Sequence, residues 1–128
     1  MRNISFSFTT EQFRARTKTV TRRMGWKNLK RGELLCGVEK CMGLKRGEQV
    51  KRLAVIRILS VERQGLSEIV HRWQPGPAPF RYGPEECVKE GFTTMSPREF
   101  QAMFCKTHLG CTPATEITRI EFEYMEDG

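Results

Sequence analysis

Long apolar runs are missing: no part of the 128 residues approaches the ~20 consecutive apolar positions that a membrane-spanning helix needs. The opening Met1-Arg2-Asn3-Ile4-Ser5-Phe6 alternates polar and apolar residues and holds no stretch of signal-peptide character. Cysteine pairing is also missing as a pattern. The five cysteines, at 36, 41, 87, 105 and 111, are odd in number, which points to free thiols in a reducing, cytoplasmic setting. There is no internal repeat, no low-complexity segment, and no phosphate-loop or established metal-binding motif. The expectations are no membrane partner, no metal and no cofactor. Acidic residues are scarce: 15 Asp and Glu face 22 Lys and Arg, a net charge of +7. Such a bias favours an anionic partner such as RNA, a nucleotide or a phosphate.

The composition present is that of a soluble globular protein, with 38% hydrophobic and 29% charged residues. Its length predicts one domain over 1–128, large enough to bury roughly two-thirds of its unfolded surface. Ile4, Phe6 and Phe8 alternate and predict a first strand over 4–8. Thr9 and Gln12 have capping-box spacing, with Phe8 and Phe13 placed as a staple, so a short helix should run to about Arg16. A turn at 29–32 feeds a strand over about 34–41. Residues 50–62 carry the strongest strand pattern, and a further short strand is expected over 66–71. The proline- and glycine-rich segment 73–84 reads as a long loop, followed by a short helix over 85–90. Ser96-Pro97-Arg98-Glu99 is a helix start with cap, first-turn proline and capping-box partner. Phe100, Met103 and Phe104 then form an apolar stripe, read as core. Ile120, Phe122 and Tyr124 share one face of a closing strand. Helices set between mostly non-adjacent strands suit an α+β domain with a mixed or antiparallel barrel.

Arg16-Thr17-Lys18-Thr19-Val20-Thr21-Arg22-Arg23 packs four cations and three threonines into eight residues. It resembles the signature of the ASCH family, a Gly-x-Lys-Thr-x-Thr-x-Arg-like run after the first helix. Lys18 and Thr21 keep the family spacing and Arg23 falls on its arginine, while Arg16 stands where the family has glycine. The segment 29–34 looks like the family's entry into its next strand, and the late helix and closing strand come in the expected order. The resemblance implies a small PUA-like β-barrel with flanking helices. It further implies either an amidohydrolase that deacetylates N4-acetylcytidine or an RNA-binding module, with a ribonuclease as a third reading. Small amidohydrolases of the family use the signature lysine and threonine plus a later glutamate. By motif these are Lys18, Thr21 and Glu90, with Glu85 and Glu86 as near alternatives.

That chemistry is coherent. A threonine hydroxyl attacks an amide only with a base beside it. A lysine serves as that base only if its proton affinity falls, which neighbouring cations promote. Glu90 would act as acid or base toward the leaving amine. Arg16, Arg22, Arg23 and Trp26 are the expected contacts to substrate or RNA. In the bland alternative, Lys18 is a solvated cation, Thr21 an ordinary strand threonine, and Glu90 a solvent-facing helix end. Trp73, Phe80 and Tyr82 could stack on bases or simply fold the long loop onto itself. Cys105-x2-His108-x2-Cys111, with Cys36 and Cys41 as a loose second pair, lacks regular zinc spacing. It is read as small buried residues at a helix end, with His108 as the C-terminal cation.

Overall fold

The computed structural model describes residues 1–40, 43–73 and 81–126. Cys41, Phe80 and most of the proline-rich loop lie outside the described residues. Among the described residues five strands are formed: β1 (Arg2–Ser5), β2 (Val20–Arg23), β3 (Leu34–Val38), β4 (Arg52–Gly65) and β5 (Glu116–Tyr124). Four helices accompany them: α1 (Thr10–Arg14), α2 (Glu68–His71), α3 (Tyr82–Lys89) and α4 (Pro97–Thr107). The strand order is β1-β3-β4-β5-β2. Only β1 and β3 run parallel; the other neighbours are antiparallel. The α+β class expected from the sequence is present, as a five-stranded sheet curled into half a barrel.

β4 is the spine. Its first half pairs with β3 and its second half with β5, with an extra residue inserted at the Ile58–Ser60 step of the β5 ladder. Such a bulge bends a strand and increases its twist. The sheet curls until its outermost strands come within side-chain reach: Arg23 at the end of β2 donates to the Ser5 carbonyl at the end of β1. Inside the curl, Ile4, Phe6, Phe13, Leu35, Ile58 and Phe122 form the first core. Phe13 stacks on Phe6 at 4.1 Å and leaves no room at Gly37, where a Cβ would sit 2.3 Å from the Phe13 ring. A second core joins the helices to the base of β5 through Leu66, Ile69, Cys87, Phe100, Phe104 and Ile117.

Three local expectations are corrected. Phe8 does not face inward: β1 ends at Ser5, the chain turns, and Phe8 is 78% exposed. Thr9 is the N-cap of α1 but makes no side-chain capping bond. The segment 66–71 is not a strand. Glu68–His71 is one helical turn, fixed by the Leu66 and Ser67 amides donating to Thr115 and Pro113 carbonyls and by the Glu68 carboxylate accepting from the Gly65 amide. The capping box at Ser96 and Glu99 forms as expected, with both reciprocal bonds present.

Candidate active site

α3 begins at Tyr82 rather than Glu85, with Pro84 in its first turn, where its missing N–H costs nothing. Its position is set by Gly83, packed so closely on α2 that a Cβ would lie 2.2 Å from the Ile69 carbonyl. This docking turns Glu86 and Glu90 inward, each at most 3% exposed. Glu90 is the C-cap, and Gly91 follows with φ +99°. The chain just before β2 runs alongside this helix end, held by the Thr19 amide donating to the Lys89 carbonyl at 2.8 Å.

Lys18 therefore enters the protein at the C-terminus of α3. Its Nζ donates to the Glu90 carbonyl at 2.7 Å and to Glu90 Oε1 at 2.9 Å. The first bond satisfies a helix-terminal carbonyl that has no partner within its own helix. Burial lowers the proton affinity of Lys18 from its ordinary 10.5; Glu90 opposes the shift, and Arg23 and Arg22 reinforce it. Arg22 bonds Glu90 Oε2 at 3.0 Å and Glu86 Oε1 at 2.6 Å, and also reaches Tyr82 and Gln64. Arg119 grips both oxygens of Glu86 from β5. Burial would raise the Glu86 carboxyl, but Arg119 and Arg22 overcome it and hold the group at about 2. Among these inward groups two guanidiniums face two carboxylates, so a neutral Lys18 leaves the cluster balanced. A protonated Lys18 adds an uncompensated charge, which low-dielectric surroundings disfavour.

A cleft of about 180 Å³ opens over this cluster. Lys18, Thr21, Arg23 and Glu90 line its polar part; Phe92, Phe104 and His108 line the aromatic part. The Thr21 hydroxyl accepts from Arg23 Nε at 2.9 Å. Arg23 also lies over the Phe6 ring at 5.0 Å. Lys18, Thr21 and Glu90 thus border one space although Lys18 and Glu90 are 72 residues apart.

Of the remaining expected site residues, Arg16 and Trp26 lie away from the cleft and Arg22 borders it. Arg16 is at the surface, near Glu126 and over the Tyr124 ring, and Trp26 packs beside the first core under Arg2. Neither borders the cleft. Arg22 borders it, but its side chain is fully buried and both amino groups are committed to protein acceptors. Trp73 is 80% exposed; Tyr82 accepts bonds from Arg22, Gln64 and Arg72. Among the described residues, no three His, Cys, Asp or Glu side chains are placed to hold a metal ion. Sequence reasoning missed Arg119 and Gln64, which looked like ordinary strand-face polar residues. It took Phe100 and Phe104 as core alone, whereas they also wall the cleft.

The structure is similar to the crystal structure of protein EF3133 from Enterococcus faecalis V583, which carries the family-model designation DUF984. The TM-score is 0.61 at 14% identity, over 98% of this chain and 76% of that one. At that identity the likeness defines a small α+β barrel-like fold and nothing finer. The sequence matches no family model, and no curated protein matches it.

Proposed function

We propose that this chain is an ASCH-like amidohydrolase that removes the acyl group from the exocyclic amine of a modified pyrimidine nucleoside such as N4-acetylcytidine. The observation that carries the reading is the buried Lys18–Glu90 pair at the floor of a cleft that Thr21 also lines. A neutral lysine amine keeps two N–H donors and one lone pair. The two Glu90 oxygens take the donors, and the lone pair remains for a proton. Lys18 takes the Thr21 proton as the hydroxyl oxygen attacks the acyl carbon. Arg23 Nε–H, already on that oxygen, orients the hydroxyl and favours its loss of a proton, and as the C–O bond forms the negative charge passes to the acyl oxygen of the tetrahedral intermediate. The Lys18 ammonium then protonates the departing cytidine amine, and the acyl–Thr21 ester is hydrolysed by water with Lys18 again as base. Glu90, with one oxygen on Lys18 and the other on Arg22, holds the amine in place through both proton transfers.

The cleft volume, about 180 Å³, lies below the ~300–1,000 Å³ of drug-sized sites, which suits one base with a small acyl group. The alternative, an RNA-binding module without turnover, is less well supported, since Arg16, Arg22 and Trp26 do not combine with Arg23 into one accessible basic groove. The test is release of cytidine from N4-acetylcytidine, followed by chromatography, for the wild type, Thr21→Ser and Thr21→Ala. Turnover kept in part by serine and abolished by alanine supports the reading. A rate unchanged in Thr21→Ala contradicts it.

A further inference from the structure

The Cys105–His108–Cys111 stretch takes no part in the chemistry above, yet His108, between the two cysteines, lines the cleft. Cys105 lies in the last turn of α4, and Cys111 follows the turn that leaves it. Their sulfurs are 3.7 Å apart, with the Cys105 thiol donating to Cys111 Sγ. Both residues are partly exposed, unlike the buried Cys36 and Cys87. Between them, His108 stacks on Phe104 at 3.9 Å with the rings within 12° of parallel, and its Nδ1 lies 2.8 Å from the Phe104 carbonyl. His108 and Phe104 both line the cleft.

We infer that Cys105 and Cys111 are a reversible thiol-oxidation site whose disulfide repositions the His108 wall of the cleft. A small disulfide oxidant such as glutathione disulfide is the co-reactant. The Cys111 sulfur, which already accepts the Cys105 S–H, attacks one sulfur of the oxidant as thiolate and releases one glutathione thiolate. The Cys105 thiol loses its proton and attacks Cys111 Sγ, breaking the mixed bond and releasing the second glutathione. Two protein thiols become one disulfide, and one glutathione disulfide becomes two glutathiones. Closing 3.7 Å to the roughly 2.05 Å of an S–S bond needs movement of the turn that carries His108. The site stands independently of the proposed amidohydrolase reading.

The experiment incubates the full chain with glutathione disulfide and digests it with trypsin without reduction. Cleavage after Arg98, Lys106 and Arg119 separates Cys105 (peptide 99–106) from Cys111 (peptide 107–119), so a disulfide appears as a linked pair of peptides. The expected result is that linked pair, reversed by dithiothreitol, with Cys105→Ser giving a single glutathione adduct on Cys111. The two histidines supply a proton NMR readout, in which oxidation should shift the His108 ring signals and leave those of His71 in place. Stable separate adducts without linkage, or no reaction, overturn the redox site. Linkage with an unmoved His108 overturns its coupling to the cleft. The wild-type peptide map decides even if the serine variant does not fold.

Discussion

The Lys18 amine and the Glu90 carboxylate meet at 2.9 Å across 72 residues of chain, and the same nitrogen caps α3 through the Glu90 carbonyl at 2.7 Å. One contact therefore joins the start of β2 to a helix end, and places a desolvated amine under the cleft. The same geometry that anchors the fold adjusts the group assigned as base.

The Lys18 shift has a sign. Burial lowers its pKa below 10.5, so the neutral, proton-accepting form appears at lower pH than for a free lysine. The rate kcat/KM on N4-acetylcytidine should rise with pH through an inflection below that ordinary value. In Glu90→Gln the opposing negative charge is gone, and the inflection should move lower still. A pH–rate profile of both proteins measures this; an inflection that moves upward contradicts the assignment.

Glu86 should be the strongest stability determinant of the buried network. Glu86→Ala leaves Arg22 short of a partner inside the protein, and breaking a buried pair on one side costs about 3–5 kcal/mol. Urea unfolding at neutral pH measures the loss. The acid dependence follows from the folded carboxyl at about 2 against an ordinary 4.5. The unfolded chain binds this proton more readily, so the stabilisation is complete above about 4.5 and is lost as pH falls toward about 2. The fall should be shallower in Glu86→Gln.

Arg16 occupies the left-handed region with φ +61°, a backbone conformation that favours glycine. A non-glycine residue there costs on the order of 1 kcal/mol or more. Arg16→Gly should be at least as stable as the wild type, and Arg16→Val should lose about 1–2 kcal/mol, both read from urea midpoints. Cytidine release should be unchanged in Arg16→Gly, because Arg16 does not border the cleft.

Gly83→Ala should act at a distance. The added methyl would meet the Ile69 carbonyl, so α3 must move off α2, at a cost of about 1–3 kcal/mol. Because α3 carries both Glu86 and Glu90, the variant should lose turnover in excess of its loss of folded protein. A thermal melt and an initial rate on the same sample separate the two.

Local signals were legible where the physics is local. Ser96, Pro97 and Glu99 fix a helix start by bonds within one turn, and the alternation of Ile120, Phe122 and Tyr124 needs only a half-buried strand. Leu66, Ile69 and Val70 carry i, i+3, i+4 spacing that favours a helical turn over the expected strand, but the turn is fixed by the carbonyls of Thr115 and Pro113, far along the chain. Phe8 continues the alternation of Ile4 and Phe6, yet the strand has ended before it. Nothing near Arg22 marks it as buried, since a cation goes inside only with partners, and its carboxylates lie 64 and 68 residues on. The contact between Lys18 and Glu90 was not legible in the sequence, because no local pattern spans the 72-residue separation between them.

The most direct test of the central claim is the initial rate of cytidine release from N4-acetylcytidine by the wild type beside Lys18→Met, with a thermal melt of each. Methionine keeps the length and burial of the side chain and removes the amine. The expected result is turnover by the wild type and a folded variant slowed by about 10²–10⁴-fold, the range for loss of a general base. Equal rates in the two proteins, or no turnover by a folded wild type, would contradict it.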